Sequence, residues 1–269
     1  RIRAMAINGS SDSNTVILTP NQMRQLGLRS RRHLFGMGEN REQFYQSQLA
    51  LLDDNPSGEY WVVYSENGDL LAAWKSDGDS ISPDYNSLQH EFGPDITILH
   101  THPIDDIQEF VLQTSTAPGT RPGPSFGAST HADNLTAEAG DLIDLRDSNV
   151  RQMYMSGQMR DGTPYTATVT RNSHGWPDLL TTSEPEPWNN PDTVFEVLKS
   201  QIDARSARLR AENPLEIPGG TMTNRQIALL RVRREDEWWI VAYEQIVAEN
   251  QARLGFTITF DVNLQIARR

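Results

Sequence analysis

The run Glu59-Tyr-Trp-Val-Val-Tyr64, then Ser65-Glu-Asn-Gly68, then Asp69-Leu-Leu-Ala-Ala-Trp74 is the tightest constraint on what this chain can fold into. Two β-rich runs joined by a short Gly-containing turn read as an antiparallel hairpin. Further strand candidates are Ile96-Thr-Ile-Leu99, Val150 to Ser156, Tyr165 to Thr170 and the terminal Phe256-Thr-Ile-Thr-Phe260. The second and third of these join across Arg160-Asp-Gly162. Helical signals lie between and around them. Thr19-Pro20 sets a helix start, with Met23, Leu26 and Leu28 behind it. Glu39 to Leu52 places Phe44, Gln48 and Leu51-Leu52 at helical spacing, until Asp53-Asp-Asn-Pro-Ser-Gly58 breaks the pattern. Another helix is expected from Asp133 to Leu145. Val194, Leu198, Ile202 and Leu209 mark an amphipathic helix, and Ile227 to Leu254 one or two more. The class is α/β: a mixed sheet flanked by helices.

The organisation expected from these signals is a lead segment over 1–38, a core domain over 39–175, a linker over 176–191 and a mainly helical extension over 192–269. The linker is rich in Pro, Ser, Thr and Asn. Inside the core domain a polar, Pro- and Gly-rich stretch over 104–127 reads as an irregular inserted loop.

Composition removes several classes of function. The net charge is −12, from 24 basic and 36 acidic residues, which argues against a nucleic-acid partner because phosphate neutralisation needs clustered Lys and Arg. With 0 cysteines there is no disulfide, no thiol nucleophile and no Cys-based metal site, and a zinc deaminase centre with its cysteine pair is excluded. No apolar run approaches the roughly 20 residues of a membrane span. The chain opens at Arg1 without an initiator Met or a signal-peptide pattern, as expected of a piece of something longer that is secreted or delivered.

The informative chemistry is Ile98-Leu-His-Thr-His-Pro103. Residues two apart in a strand point to one face, so His100 and His102 can aim both imidazoles at one point. Two neutral imidazoles and a carboxylate make a three-ligand zinc site with a fourth position for water, and Asp133 is the carboxylate expected to complete it. An H-x-H pair also has a purely structural reading, as two side chains satisfied within a strand. His33, His90 and His174 are scattered singly, and Trp238-Trp239 reads as packing. Arg231, Arg233 and Arg234, followed by Glu235-Asp-Glu237, read as a solvated helix face with charge pairing.

His100-Thr-His-Pro103, the polar loop and Ser129-Thr-His-Ala-Asp133 together resemble the JAMM (MPN-plus) metalloprotease family, whose pattern is an upstream Glu, then H-x-H-P, then S-x-x-D. The resemblance runs from about Glu39 to Thr170 and includes the order of elements. It implies an MPN-like, cytidine-deaminase-like fold with a curved mixed sheet, a Zn2+ cofactor, and hydrolysis of an amide or isopeptide bond in a protein or peptide substrate, such as a ubiquitin-like conjugate. By the same resemblance His100, His102 and Asp133 match the zinc ligands. Glu59 matches the general base that activates the zinc-bound water and passes its proton to the leaving amine, with Glu39, Glu42 and Glu66 as competing carboxylates. Two departures stand out. The spacing from Pro103 to Asp133 is longer than in compact members, so the insertion either gates substrate or is a passive loop. Strict S-x-x-D register falls on Thr130, while Ser129 lies one residue further away; either hydroxyl could hydrogen-bond the oxyanion, and register favours Thr130. His131 lies between them and could compete for metal.

Family members include deubiquitinases, bacterial sulfur-carrier and phage-tail peptidases, and domains of secreted toxins. The linker, the extension and the fragment-like start are nearest the toxin or effector branch. Two other classes stay open: a non-catalytic MPN-type scaffold or binding module, and a structural module of a secreted or virion assembly with an incidental His pair.

Overall fold

A computed structural model describes residues 15–30, 49–56, 58–77, 85–93, 95–102, 150–172, 194–217, 219–220 and 222–266. In chain order the elements are β1 (Thr15–Ile17), α1 (Pro20–Gln25), β2 (Gly58–Tyr64), β3 (Leu70–Asp77), α2 (Tyr85–Phe92) and β4 (Thr97–Thr101). They continue with β5 (Gln152–Gln158), β6 (Pro164–Arg171), α3 (Val194–Glu212), α4 (Asn224–Leu254) and β7 (Phe256–Asp261). Residues 49–54 are also helical. The expected helix over Asp133 to Leu145 and the expected linker lie outside the described residues.

The strands form a 7-stranded sheet in the order β1-β3-β2-β4-β5-β6-β7. The β4–β5 pair is parallel and the other neighbours are antiparallel. The fold is therefore mixed α/β, with a mostly antiparallel open sheet and helices. The hairpin forms as its residues imply. Gly68 sits at φ 80°, its N–H donates to the Ser65 carbonyl at 2.9 Å, and the Asp69 N–H donates to Ser65 Oγ at 3.0 Å. Only the turn geometry that Gly tolerates closes this loop so tightly.

Strand alternation divides the core. Trp61, Val63, Ala72, Trp74, Ile98, Met153, Met155, Ala167 and Val169 face one side, where Leu88 of α2, Leu198 and Ile202 of α3, and Trp239, Tyr243 and Val247 of α4 pack on them. Tyr60, Val62, Tyr64, Ala73, Leu99 and Tyr154 face the other, where Met23, Leu28 and Leu51 cover them. Trp238 and Trp239 are both buried, as packing residues. The helices and strand of the C-terminal portion thus share the core of the sheet that carries the two histidines.

Local signals explain the ends of the helices. Thr19 and Gln22 form a capping box at α1, and Thr223 and Gln226 form another at α4. α4 is one helix of 31 residues, ended by Gly255 at φ 69°. β7 begins at the next residue. Gly255→Ala is expected to cost about 1–2 kcal/mol, because the left-handed region strains any residue with a Cβ; urea unfolding checks this, and an unchanged midpoint would refute it.

The charged segment of α4 departs from the sequence expectation. Asp236 and Glu237 are 0% exposed, not solvated. The Asp236 carboxylate accepts from the Arg160 backbone N–H at 2.9 Å and from Arg160 Nε at 2.8 Å, and lies 2.6 Å from Arg160 Nη2. Glu237 accepts from Arg233 Nε at 3.0 Å and from the Gln265 N–H at 2.8 Å, and Arg233 also reaches Asp161 at 3.1 Å. Burial works to lower the Arg160 pKa, but Asp236 and Glu235 together hold it above its ordinary value. The charges face the β5–β6 turn, so the run is a clamp between helix and hairpin. Helical periodicity could not show this, because the partners lie some seventy residues away in sequence.

Candidate functional site

β4 lies near the middle of the sheet, between β2 and β5. All five of its residues are buried. Its register on β2 pairs Trp61 with His100 and Val63 with Ile98. Directly opposed residues share a face, so Glu59, Trp61 and Val63 of β2 project to the same side as Ile98 and His100. Continuing the register by two residues brings Glu59 level with His102. The hairpin and the H-x-H strand are thereby adjacent, with Glu59 and both histidines on the face covered by α3 and α4.

The two imidazoles converge. His100 Nε2 and His102 Nε2 are 3.0 Å apart, with ring centroids 4.9 Å apart and tilted by 40°. Nitrogens at about 2.0–2.1 Å from one tetrahedral zinc would sit about 3.3 Å from each other. The pair is therefore close to the spacing that one shared ion requires. His100 is 1% exposed and His102 is half-buried, so an ion between them would meet protein on the His100 side.

Neighbouring groups fix the histidines. The Trp61 indole stacks on the His100 ring, centroids 4.3 Å apart and planes within 11°. The His102 N–H donates to the Ser156 carbonyl at 2.8 Å, one step beyond the last β4–β5 pair. Ser156 Oγ in turn meets Thr166 Oγ1 of β6 at 3.1 Å. Glu59 is half-buried as a residue, but its Oε2 is shut off from solvent. A carboxylate placed in this way is desolvated at one oxygen.

Asp133, Thr130, Ser129 and His131 lie outside the described residues, as do Glu39 and Glu42. Glu66, the remaining competitor for the base, belongs to the hairpin turn and pairs with Arg151 at 3.0 Å, both side chains more than half exposed. Among the described residues no group of three or more His, Cys, Asp or Glu side chains could hold a metal ion. Two of the three expected ligands are thus brought together, and the third is among residues without a described position. Sequence reasoning missed Trp61 and Thr101 as parts of this neighbourhood. Trp61 was legible by alternation, two residues after Glu59 in the same strand; the pairing of that strand with β4 was not.

A surface groove between α3 and α4, lined by Gln201, Arg205, Arg208, Glu249 and Asn250 among others, contains none of these residues. No helix among the described residues is long and apolar enough to cross a membrane. No protein-family model matches the chain, nor does any curated protein or solved structure match it significantly.

Proposed function

We propose that this chain is a zinc-dependent peptidase or isopeptidase with an MPN-like domain, held to that chemistry by His100, His102 and Asp133. The observation that carries the reading is the convergence of two imidazole Nε2 atoms, 3.0 Å apart, on the sheet face that also bears Glu59. The donor set suits the metal: neutral imidazole nitrogens with a carboxylate, and no thiolates. A bound zinc would polarise the scissile carbonyl and make water a competent nucleophile near neutral pH.

The remaining steps belong to the chain. Glu59 takes the proton from the attacking water and returns it to the leaving nitrogen, so that the amine departs neutral. Its Oε2 is shut off from solvent, so bulk water does not compete at that oxygen for the proton in transit. Thr130, or Ser129 beside it, donates to the oxygen that becomes negative as the carbonyl is attacked. Trp61 holds the His100 ring plane, which keeps Nε2 aimed toward His102. The substrate is a protein or peptide amide, with ubiquitin-like conjugates the first class to screen and a toxin or effector setting the first context to consider.

Glu59→Gln tests the assignment of the base. The amide keeps the shape of the carboxylate but cannot accept the proton. At saturating zinc the metal content is expected to stay at the wild-type level while hydrolysis falls by about 10²–10⁴-fold. Full activity in Glu59→Gln with metal still bound would move the base to another carboxylate.

A second reading, a non-catalytic MPN-type module, draws on the same contact. Two imidazoles at 3.0 Å also suit a proton shared between nitrogens, with the Trp61 stack as ordinary packing. It predicts that zinc neither binds nor changes the melting temperature.

A further inference from the structure

The backbone ladder between β2 and β4 stops at the Trp61–His100 pair. The next rung is made by a side chain: the Tyr60 N–H donates to Thr101 Oγ1 at 2.9 Å, in a buried position. On its other edge β4 remains in register with β5 through Thr101–Ser156, and the His102 N–H continues the pattern to the Ser156 carbonyl. The end of β4 therefore follows β5 and leaves β2. Glu59 is on β2 and the histidines are on β4, so the separation between them depends on what bridges the two strands at this point.

Resting on the reading of Glu59, His100 and His102 given above, we propose that the Thr101 hydroxyl is a positioning group that sets the carboxylate of Glu59 against the two imidazoles. Thr101 lies between the histidines in sequence, and alternation turns its side chain to the opposite face, so it touches neither the metal position nor the substrate face. It is 0% exposed, and its one-atom reach replaces a backbone carbonyl as the acceptor. A direct backbone rung would draw the strands to ordinary ladder spacing and close the gap between Glu59 and His102. With no acceptor at all, the first residues of β2 would be held through Tyr60 by its hydroxyl to Asp54 and by the β3 ladder, and Glu59 would lose its reference to β4. The Thr101 hydroxyl gives an intermediate, fixed separation.

The test uses the full chain and cobalt(II), whose visible absorption reports binding at nitrogen and oxygen ligands. Thr101→Val removes the acceptor and keeps the shape; Thr101→Ala serves if Val does not fold; Thr101→Ser keeps the hydroxyl. Loss of the acceptor is expected to weaken cobalt binding about tenfold, in the range typical of groups that orient a metal site from outside it, with Thr101→Ser close to wild type. In a Glu59→Gln background the same substitution should have little further effect, because its influence runs through Glu59. Amide exchange at Tyr60 should speed up in the Val and Ala variants only. Wild-type cobalt affinity in Thr101→Val overturns the proposal. So does an undiminished effect in the Glu59→Gln background, or a Ser variant as impaired as Val. Absence of cobalt binding by the wild-type chain overturns the metal site itself, which is a separate and recognisable result.

Discussion

Zinc is expected at about one equivalent per purified wild-type chain and at none in the His100→Ala/His102→Ala double variant. The expectation follows from geometry rather than from the histidines being present. Their Nε2 atoms are 3.0 Å apart, and both rings are held from outside, one by the Trp61 stack and the other through its backbone to β5. Rings held in this way lose little freedom on binding an ion, and each contributes a lone pair when neutral. Elemental analysis of the two proteins, each after incubation with zinc and dialysis, decides the matter. Chelator should lower the melting temperature of the wild type and leave the double variant unmoved, because only the wild type has a bound state to lose. Zinc absent from both would leave the two imidazoles sharing a proton, and the catalytic reading would fall with the metal.

The largest effect on stability is expected at Asp236. Its carboxylate is fully buried and takes the backbone N–H and the guanidinium of Arg160, which is itself 4% exposed. Asp236→Ala would leave the buried Arg160 N–H without its acceptor and the buried cation with only the 3.4 Å contact to Glu235, and the loss should be about 3–5 kcal/mol. The exposed pair Lys199–Asp203, both side chains nearly half exposed, is the internal comparison. Asp203→Ala should cost no more than about 0.5 kcal/mol, because water and salt screen it. Urea unfolding of both variants measures the contrast, and equal effects would show that the buried pair contributes no more than a surface one. Changing Arg160 and Asp236 together to apolar residues of similar volume should recover much of the loss, since the cost of the single change lies in the stranded charge.

The legible part of the fold was the part written in local pattern. The hairpin around Gly68, the strands β5 to β7 and the helices α1, α3 and α4 all follow from alternation, helical spacing and caps within a few residues of their ends. β1 and α2 were missed. Thr15-Val-Ile is a β-branched run of three residues beside a polar stretch, and Leu88 and Phe92 give only one helical turn of apolar spacing. Both are too short to stand out without the β3 edge and the core that stabilise them. At the site, the shared face of His100 and His102 was readable from their spacing. The adjacency of Glu59 was not, because strand order is decided by pairings across dozens of residues. The buried state of Asp236 and Glu237 was missed for a related reason: a charged run looks the same in sequence whether water or an arginine from a distant turn satisfies it. Asp133, Thr130 and Ser129 remain expectations drawn from motif.

The two edges of the sheet are the first and last described strands of the chain, β1 and β7, and the face bearing the histidines is covered largely by α4, which immediately precedes β7. This sets an order in time. During synthesis His100 and His102 leave the ribosome long before Trp239, Tyr243 and Phe260, and at ordinary elongation rates the delay is on the order of ten seconds. Through that interval the central strands lack the cover that α4 gives to one face. A chain built in this way has its histidine pair early and the cover of that face late, so on the reading proposed above a nascent chain that has already exposed both histidines would remain inert until β7 is in place.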